Sequence, residues 1–301
     1  MAQSAPVPLT PAVDSTAAFL REGYTFAGRR RLQLGSDIFF LRLAGLPVTC
    51  LSGEDAARAL AVPGRLVEAV LLPPDAAAVF DTLERLSRGA ATDDTPPRTL
   101  PGWQPDGRVD IVTAVDAEWL VAMQEWRRRG SVVLFDELPA LVGRVVERLR
   151  AAGTQVGPSV AATAGLQAAF AALALHQHPS SRLRLQGRSR DYLRYFVQEV
   201  CRFYPVSPGV AARVGEAFNW RAHRFNPGAV LFFDLPSSSR DPRSWPNPEV
   251  FRPERFNTRD GETLAWLVPE APEARRAYEA WLGLLEACVR HLVRLHYEVP
   301  R

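Results

Sequence analysis

A chain of 301 residues and 33.3 kDa, 47% hydrophobic and 23% charged, is long and apolar enough for a substantial core. A disordered protein, a collagen and a membrane bundle are excluded, since no apolar run reaches the roughly 20 residues of a spanning helix. All 36 basic residues are arginine, which removes pyridoxal-phosphate chemistry and the phosphate-binding P-loop, both of which need a lysine. A net charge of +3 is too small to point to nucleic acid.

The opening MAQSAPVPLTPAV has neither a basic region nor an apolar block, so residues 1–13 are expected to form a mobile tail rather than a secretory signal. Residues 14–301 are expected to form one domain. The triplets Arg29 to Arg31 and Arg127 to Arg129 read as solvated surface. Ile38 to Leu43 and Pro47 to Leu51 flank an Ala-Gly-Leu turn and predict a β-hairpin, with Ser52 capping a helix through Leu60. Residues 88–107, with four prolines and three glycines and no periodicity, read as a flexible loop.

Helices are predicted from Asp116 to Arg129, with Trp119, Met123 and Trp126 on one side, and from Leu138 to Arg150, with SVVLF between them as a short β signal. Ser159 to His176 is an alanine-rich helix in which Val160, Thr163, Gln167, Phe170 and Ala174 share a face and small side chains allow close approach. A helix from Tyr192 to Phe203 stops at Pro205. Strands follow at Val210 to Val214 and Val230 to Leu235, and a last helix covers Glu273 to His296. Cys50, Cys201 and Cys288 make no zinc-type spacing, and His176 with His178 has no third ligand nearby, so no metal site is expected. These cysteines fit a reducing, cytoplasmic location. Asp234, Asp241 and Glu270 read as loop carboxylates that could act as acids or bases, with nothing to single them out from solvated ones.

Glu199 and Arg202 lie one turn apart in FVQEVCRFYP, a segment otherwise apolar and aromatic, where an unpaired charge is costly. Arg255 in FRPERF offers a second planar donor fork to complete a Glu-Arg-Arg cluster. A Glu-x-x-Arg helix followed by strands and then Pro-Glu-Arg-Phe resembles the cytochrome P-450 superfamily of haem-thiolate enzymes. REGYTF, SDIFFLRLAGLPVTCLSGEDAARAL, VVLFDEL, AALALHQHP and RYFVQEVCRFYPVSPGVAARV resemble its bacterial fatty-acid peroxygenase branch. The resemblance implies a mainly α fold with small β-sheets, here a truncated one.

It also implies a cysteine thiolate bound to haem iron in a loop before the last long helix. In LAWLVPEAPEARRAYEAWLGLLEACVRHLVRLHYEVPR that loop is too short, and counting back from Tyr297 puts the ligand position near Ala274 or Arg275. Cys288 lies far into the helix and reads as a core thiol. His291 and His296, also placed in that helix, lie too far along to replace the lost cysteine. Gly157-Pro158 stands where the branch places the arginine that holds a substrate carboxylate. AATAG lacks the acid-threonine pair of monooxygenases. Between RVVERLRAAG and TQVGPSV no room remains for the helices that roof the substrate chamber.

The expectation is therefore a protein without a cofactor, acting in specialised-metabolite or acyl-chain biosynthesis by non-redox catalysis. A site would be lined by Thr163, Gln167, Val210 and Leu235, with Thr163 and Gln167 as catalytic candidates. Its substrate is expected to be a neutral or carrier-bound apolar molecule. The alternatives are an accessory protein that activates a partner biosynthetic enzyme, and residual haem binding through another ligand.

Overall fold

The computed structural model describes residues 7–72, 76–88, 103–104, 110–187, 190–257 and 272–299. In chain order its elements are α1 (Thr16–Glu22), α2 (Phe26–Leu34), β1 (Ile38–Leu43), β2 (Leu46–Leu51), α3 (Glu54–Ala61), β3 (Leu66–Leu71), α4 (Ala76–Arg88), β4 (Trp103–Gln104), α5 (Ile111–Arg129), α6 (Leu134–Ala151), β5 (Gln155–Val156), α7 (Pro158–Gln177), α8 (Pro179–Gln186), α9 (Arg190–Phe203), β6 (Gly209–Val214), β7 (Phe218–Trp220), β8 (His223–Phe225), β9 (Val230–Asp234), α10 (Leu235–Ser239) and α11 (Pro272–Leu292). The described residues group into two compact units, the first from residues up to 88 and 207–249, the second from residues 103–206, 250–257 and 272–299.

The first unit is built on a five-stranded sheet in the order β1-β2-β9-β6-β3. The β1–β2 hairpin turns at Ala44 and Gly45, both with positive φ (52° and 75°), as a two-residue primed turn requires. β2 then pairs in parallel with β9, Val48 opposite Val230. The alternating inward residues of the strands meet α1, α2 and α4 in a core that includes Phe26, Phe39, Leu83 and Phe232, with the Phe19 ring edge-on to both Phe26 and Phe232.

Three expectations fail in this unit. The amide of Thr10 donates to the Phe40 carbonyl (3.0 Å), and the Phe40 amide donates to the Pro8 carbonyl (2.9 Å). The described part of the expected tail is thus tied to the sheet edge, where unpaired strand groups capture passing backbone. Ser52 does not cap α3, whose N-cap is Gly53; its hydroxyl instead lies 3.4 Å from Asp234. Nor are Arg30 and Arg31 simply solvated, since Arg30 pairs with Glu22 and Arg31 bonds Asp37 (2.8 Å) and Asp241 (2.7 Å).

Within the second unit, α5, α6, α7, α9 and α11 share one apolar core. Glu118, buried on α5, accepts from Arg144 (3.2 Å) and Arg148 (2.6 Å) on α6. The expected strand SVVLF is absent: α6 already begins at Leu134. Asp136 and Glu137 favour the helix N-terminus, and Trp126 Nε1 donates to Glu137 (2.8 Å), so tertiary contacts override the local β preference. α11 ends at Leu292, which leaves Leu295 and His296 outside the helix. Most of residues 88–107 lie outside the described residues.

Small side chains on α7 do bring a backbone close, and it belongs to α6: a Cβ added at Gly165 would lie 2.4 Å from Pro139 Cα. Residues 152–157 are the whole connection between the two helices. Gly165→Ala should lower stability by about 1–3 kcal/mol despite alanine's better helix propensity, because the helices must separate. Urea midpoints of the two proteins check this.

Asp234, the last residue of β9, is fully buried and caps α10 by accepting from the Ser237 amide (3.2 Å). Burial pushes its pKa up to about 6. The folded chain therefore keeps a proton that the unfolded chain releases, so this group costs stability as the pH rises from about 4 to about 6. Asp234→Asn, which can still cap the helix, should gain stability relative to the wild type across that window. Denaturation at pH 4 and pH 7 measures the difference.

Candidate functional site

α9 presents its Glu-x-x-Arg residues to the segment that follows the first unit's strands. Glu199 and Arg202 have no exposed side-chain surface, and the guanidinium grips the carboxylate through Nε and Nη2, each at 2.8 Å. Arg255, in the short 3-10 turn Pro253–Phe256, adds its Nε at 3.1 Å, and the Arg252 amide donates to the same carboxylate at 2.7 Å. The Val250 carbonyl accepts from Arg255 (2.8 Å). Burial lowers the Arg255 pKa and Glu199 opposes it. One side chain thereby fixes α9 to residues 250–255.

Aromatic rings close over this cluster. The His178 ring stacks on Phe251 at 4.2 Å, and Phe196 and Phe203 meet Phe251 edge-on. Burial lowers the His178 pKa, with Glu199 opposing. Among the described residues no group of three His, Cys, Asp or Glu side chains could hold a metal ion.

The four expected site residues divide between the units. Thr163 and Gln167 lie on α7 in the second, Val210 on β6 and Leu235 at the start of α10 in the first. Thr163 is half-buried, whereas Gln167 is buried and its amide nitrogen donates to the Val200 and Tyr204 carbonyls, both at 3.3 Å. Gln167 thus bolts α7 to α9. Asp234 is a strand-end cap, not a loop carboxylate. Burial alone would raise Asp37 and Asp241, but Arg31 and Arg243, joined at Asp37 by Arg221, hold both below the usual carboxylate range. Glu270 lies outside the described residues.

A pair that spacing could not reveal links α11 to α5: His291 Nε2 lies 2.6 Å from Asp116 Oδ1, with its ring stacked on Trp119 at 4.7 Å. The two residues stand 175 positions apart, and neither belongs to a motif.

The family model described as cytochrome P-450 matches residues 179–280, which contain the whole Glu199-Arg202-Arg255 cluster. That cluster on its helix and turn is the observation that decides the fold, and solved structures agree. Cytochrome P-450 EX alpha with myristic acid gives a TM-score of 0.66 at 20% identity, covering 95% of this chain and 90% of that one. A variant of cytochrome P-450 OleT with arachidonic acid gives 0.71 at 16%, covering 99% and 93%. The fold is that of the cytochromes P-450. Curated relatives include tabersonine 3-oxygenase of Catharanthus roseus, 35% identical over 66 residues (22% of this chain, 13% of that protein). Cytochrome P-450 4A7 of Oryctolagus cuniculus is 31% identical over 108 residues, 31% of this chain and 21% of that protein. The match to these two relatives thus spans only 13% and 21% of their length.

Haem bound through a thiolate does not fit the donors on this P-450-like fold. Cys50 is buried in β2 and its thiol is raised well above its ordinary value by burial and by Asp234. Cys288 is wholly buried in the α11 core, and burial pushes its thiol up to about 12. Cys201 is likewise pushed up to about 12 by burial, against a hydrogen bond from Trp281. None of the three stands between residues 202 and 287, the stretch that leads from α9 into α11. Position 275, near the counted ligand place, is an exposed arginine on the first turns of α11.

Removing the acid from the cluster leaves two buried cations facing each other. Glu199→Ala should cost about 3–5 kcal/mol, read as a drop in denaturation midpoint. A variant that melts with the wild type would show that the cluster carries no net load.

Proposed function

We propose that this chain is a cytochrome P-450 scaffold, akin to the fatty-acid peroxygenase branch, that works without haem-thiolate oxidation. The observation that carries the reading is the placement of the donors: Cys50 lies in β2, Cys201 on α9 and Cys288 in the α11 core, and no cysteine stands between residues 202 and 287, while the Glu199 cluster that shapes the fold is complete. Its role is placed in acyl-chain or specialised-metabolite biosynthesis, in the cytoplasm, on neutral or carrier-bound apolar molecules. The fatty acids named with its structural neighbours support an acyl substrate class. Gly157, the N-cap of α7, supplies no charge for a free carboxylate. No described helix is long and apolar enough to cross a membrane.

The accessory reading draws on a separate observation. Leu120 and Val121 on α5, with Val133 and Phe135 at the start of α6, leave 49–65% of their surface exposed, while the amide of Gln167, the buried catalytic candidate, is already spent on backbone carbonyls. Apolar side chains in that number suit contact with a partner enzyme, and Gln167→Ala would then change stability rather than ligand affinity.

The test is haem reconstitution. Purified protein incubated with haemin and desalted should retain no stoichiometric iron, and after reduction and carbon monoxide it should show no cysteinate-type spectrum. One equivalent of haem per chain with that spectrum would overturn the proposal.

A further inference from the structure

We infer that the second unit carries a binding pocket for a phosphorylated small molecule, with Arg182 and Arg294 holding the phosphate. The inference is independent of the haem-free reading, since none of its residues takes part in that argument.

The pocket lies where the chain leaves α11 and turns along α8. It has a volume of about 530 Å3 and is lined by Arg182, Arg294, His296, Tyr297 and Glu298 among others. That size falls within the roughly 300–1,000 Å3 of small-molecule sites and is more than a bare phosphate needs. Among the described lining residues Val293 and the Tyr297 ring supply apolar surface, and Gln186 and Glu298 offer hydrogen-bonding partners to a sugar-like or other hydroxylated body.

Charge selects the ligand. Arg182 and Arg294 are permanent cations, and neither forms an ion pair with a carboxylate among the described residues. Their neighbour Arg184, by contrast, pairs with Glu254 outside the pocket. Among the described lining residues two guanidiniums face the single carboxylate of Glu298, an electropositive balance, and a planar donor fork matches phosphate oxygens.

The arginine is also held in place before any ligand arrives. Arg182 Nη2 donates to the Leu295 carbonyl, and the guanidinium lies over the Tyr297 ring, 5.1 Å from its centroid. Tyr297 is itself anchored, its hydroxyl donating to the Ala172 carbonyl of α7 at 2.7 Å. Burial pushes this phenol up to about 12, so it stays protonated and keeps that bond. The ordering cost of a long side chain is met by the fold instead of the ligand, which favours binding.

Calorimetric titration of the full chain with inorganic phosphate and with ribose 5-phosphate, at constant ionic strength and with chloride as the control, tests the proposal. One saturable site per chain is expected, with ribose 5-phosphate binding the more tightly. Arg182→Gln and Arg294→Gln should each weaken it by about tenfold or more, while Arg184→Gln should leave it unchanged. Arg294 is exposed, so its variant decides the matter if Arg182→Gln lowers the melting temperature by releasing Leu295. Absence of saturable binding, equal loss in Arg184→Gln, or unchanged binding in Arg294→Gln would each overturn the inference.

Discussion

The carboxylate of Glu199 has no contact with water, and a buried ion persists only when donors surround it. Here Arg202 supplies two, Arg255 one and the Arg252 backbone one, and each donor comes with a structural obligation. Arg202 lies one turn along α9, so the helix must hold its register through that turn. Arg255 and the Arg252 amide require the chain to pass α9 at one height, with Phe251 turned under His178. Much of the second unit's geometry between α9 and the 3-10 turn follows from the solvation of one acid.

Burial acts on acids and thiols by one rule with opposite outcomes. Where guanidiniums are present, as at Asp37 and Asp241, the charged form wins in spite of desolvation. Where no guanidinium bonds the group, as at Asp234, Cys201 and Cys288, desolvation wins and the pKa rises, at Asp234 against the charge of Arg31.

Features set by local pattern were legible in the sequence. The β1–β2 hairpin follows from alternation and its turn, and the helices follow from apolar spacing to within a few residues at most ends. The Glu199-Arg202-Arg255 set was accessible because a carboxylate in an apolar helix demands partners. What was missed depends on residues distant in sequence. SVVLF reads as a strand until Trp126 claims Glu137. Arg31 reads as solvated until Asp241, 210 positions away, accepts from it. Gln167 has the residue type and the helix face of a site residue, and only the carbonyls of α9 show that its amide is occupied. The contact of Arg182 with Tyr297 carried no signal, since a cation laid on a ring leaves no periodicity.

The direct run from α6 through residues 152–157 into α7 also separates the two units in time. Contacts between neighbouring helices close a short loop, whereas β2 cannot meet β9 until the chain from Val48 to Val230 has been brought round. Loop closure over that distance is entropically slow. The helical hairpin is therefore expected to form ahead of the sheet, whose β2–β9 pairing cannot be made until Asp234 has been synthesised.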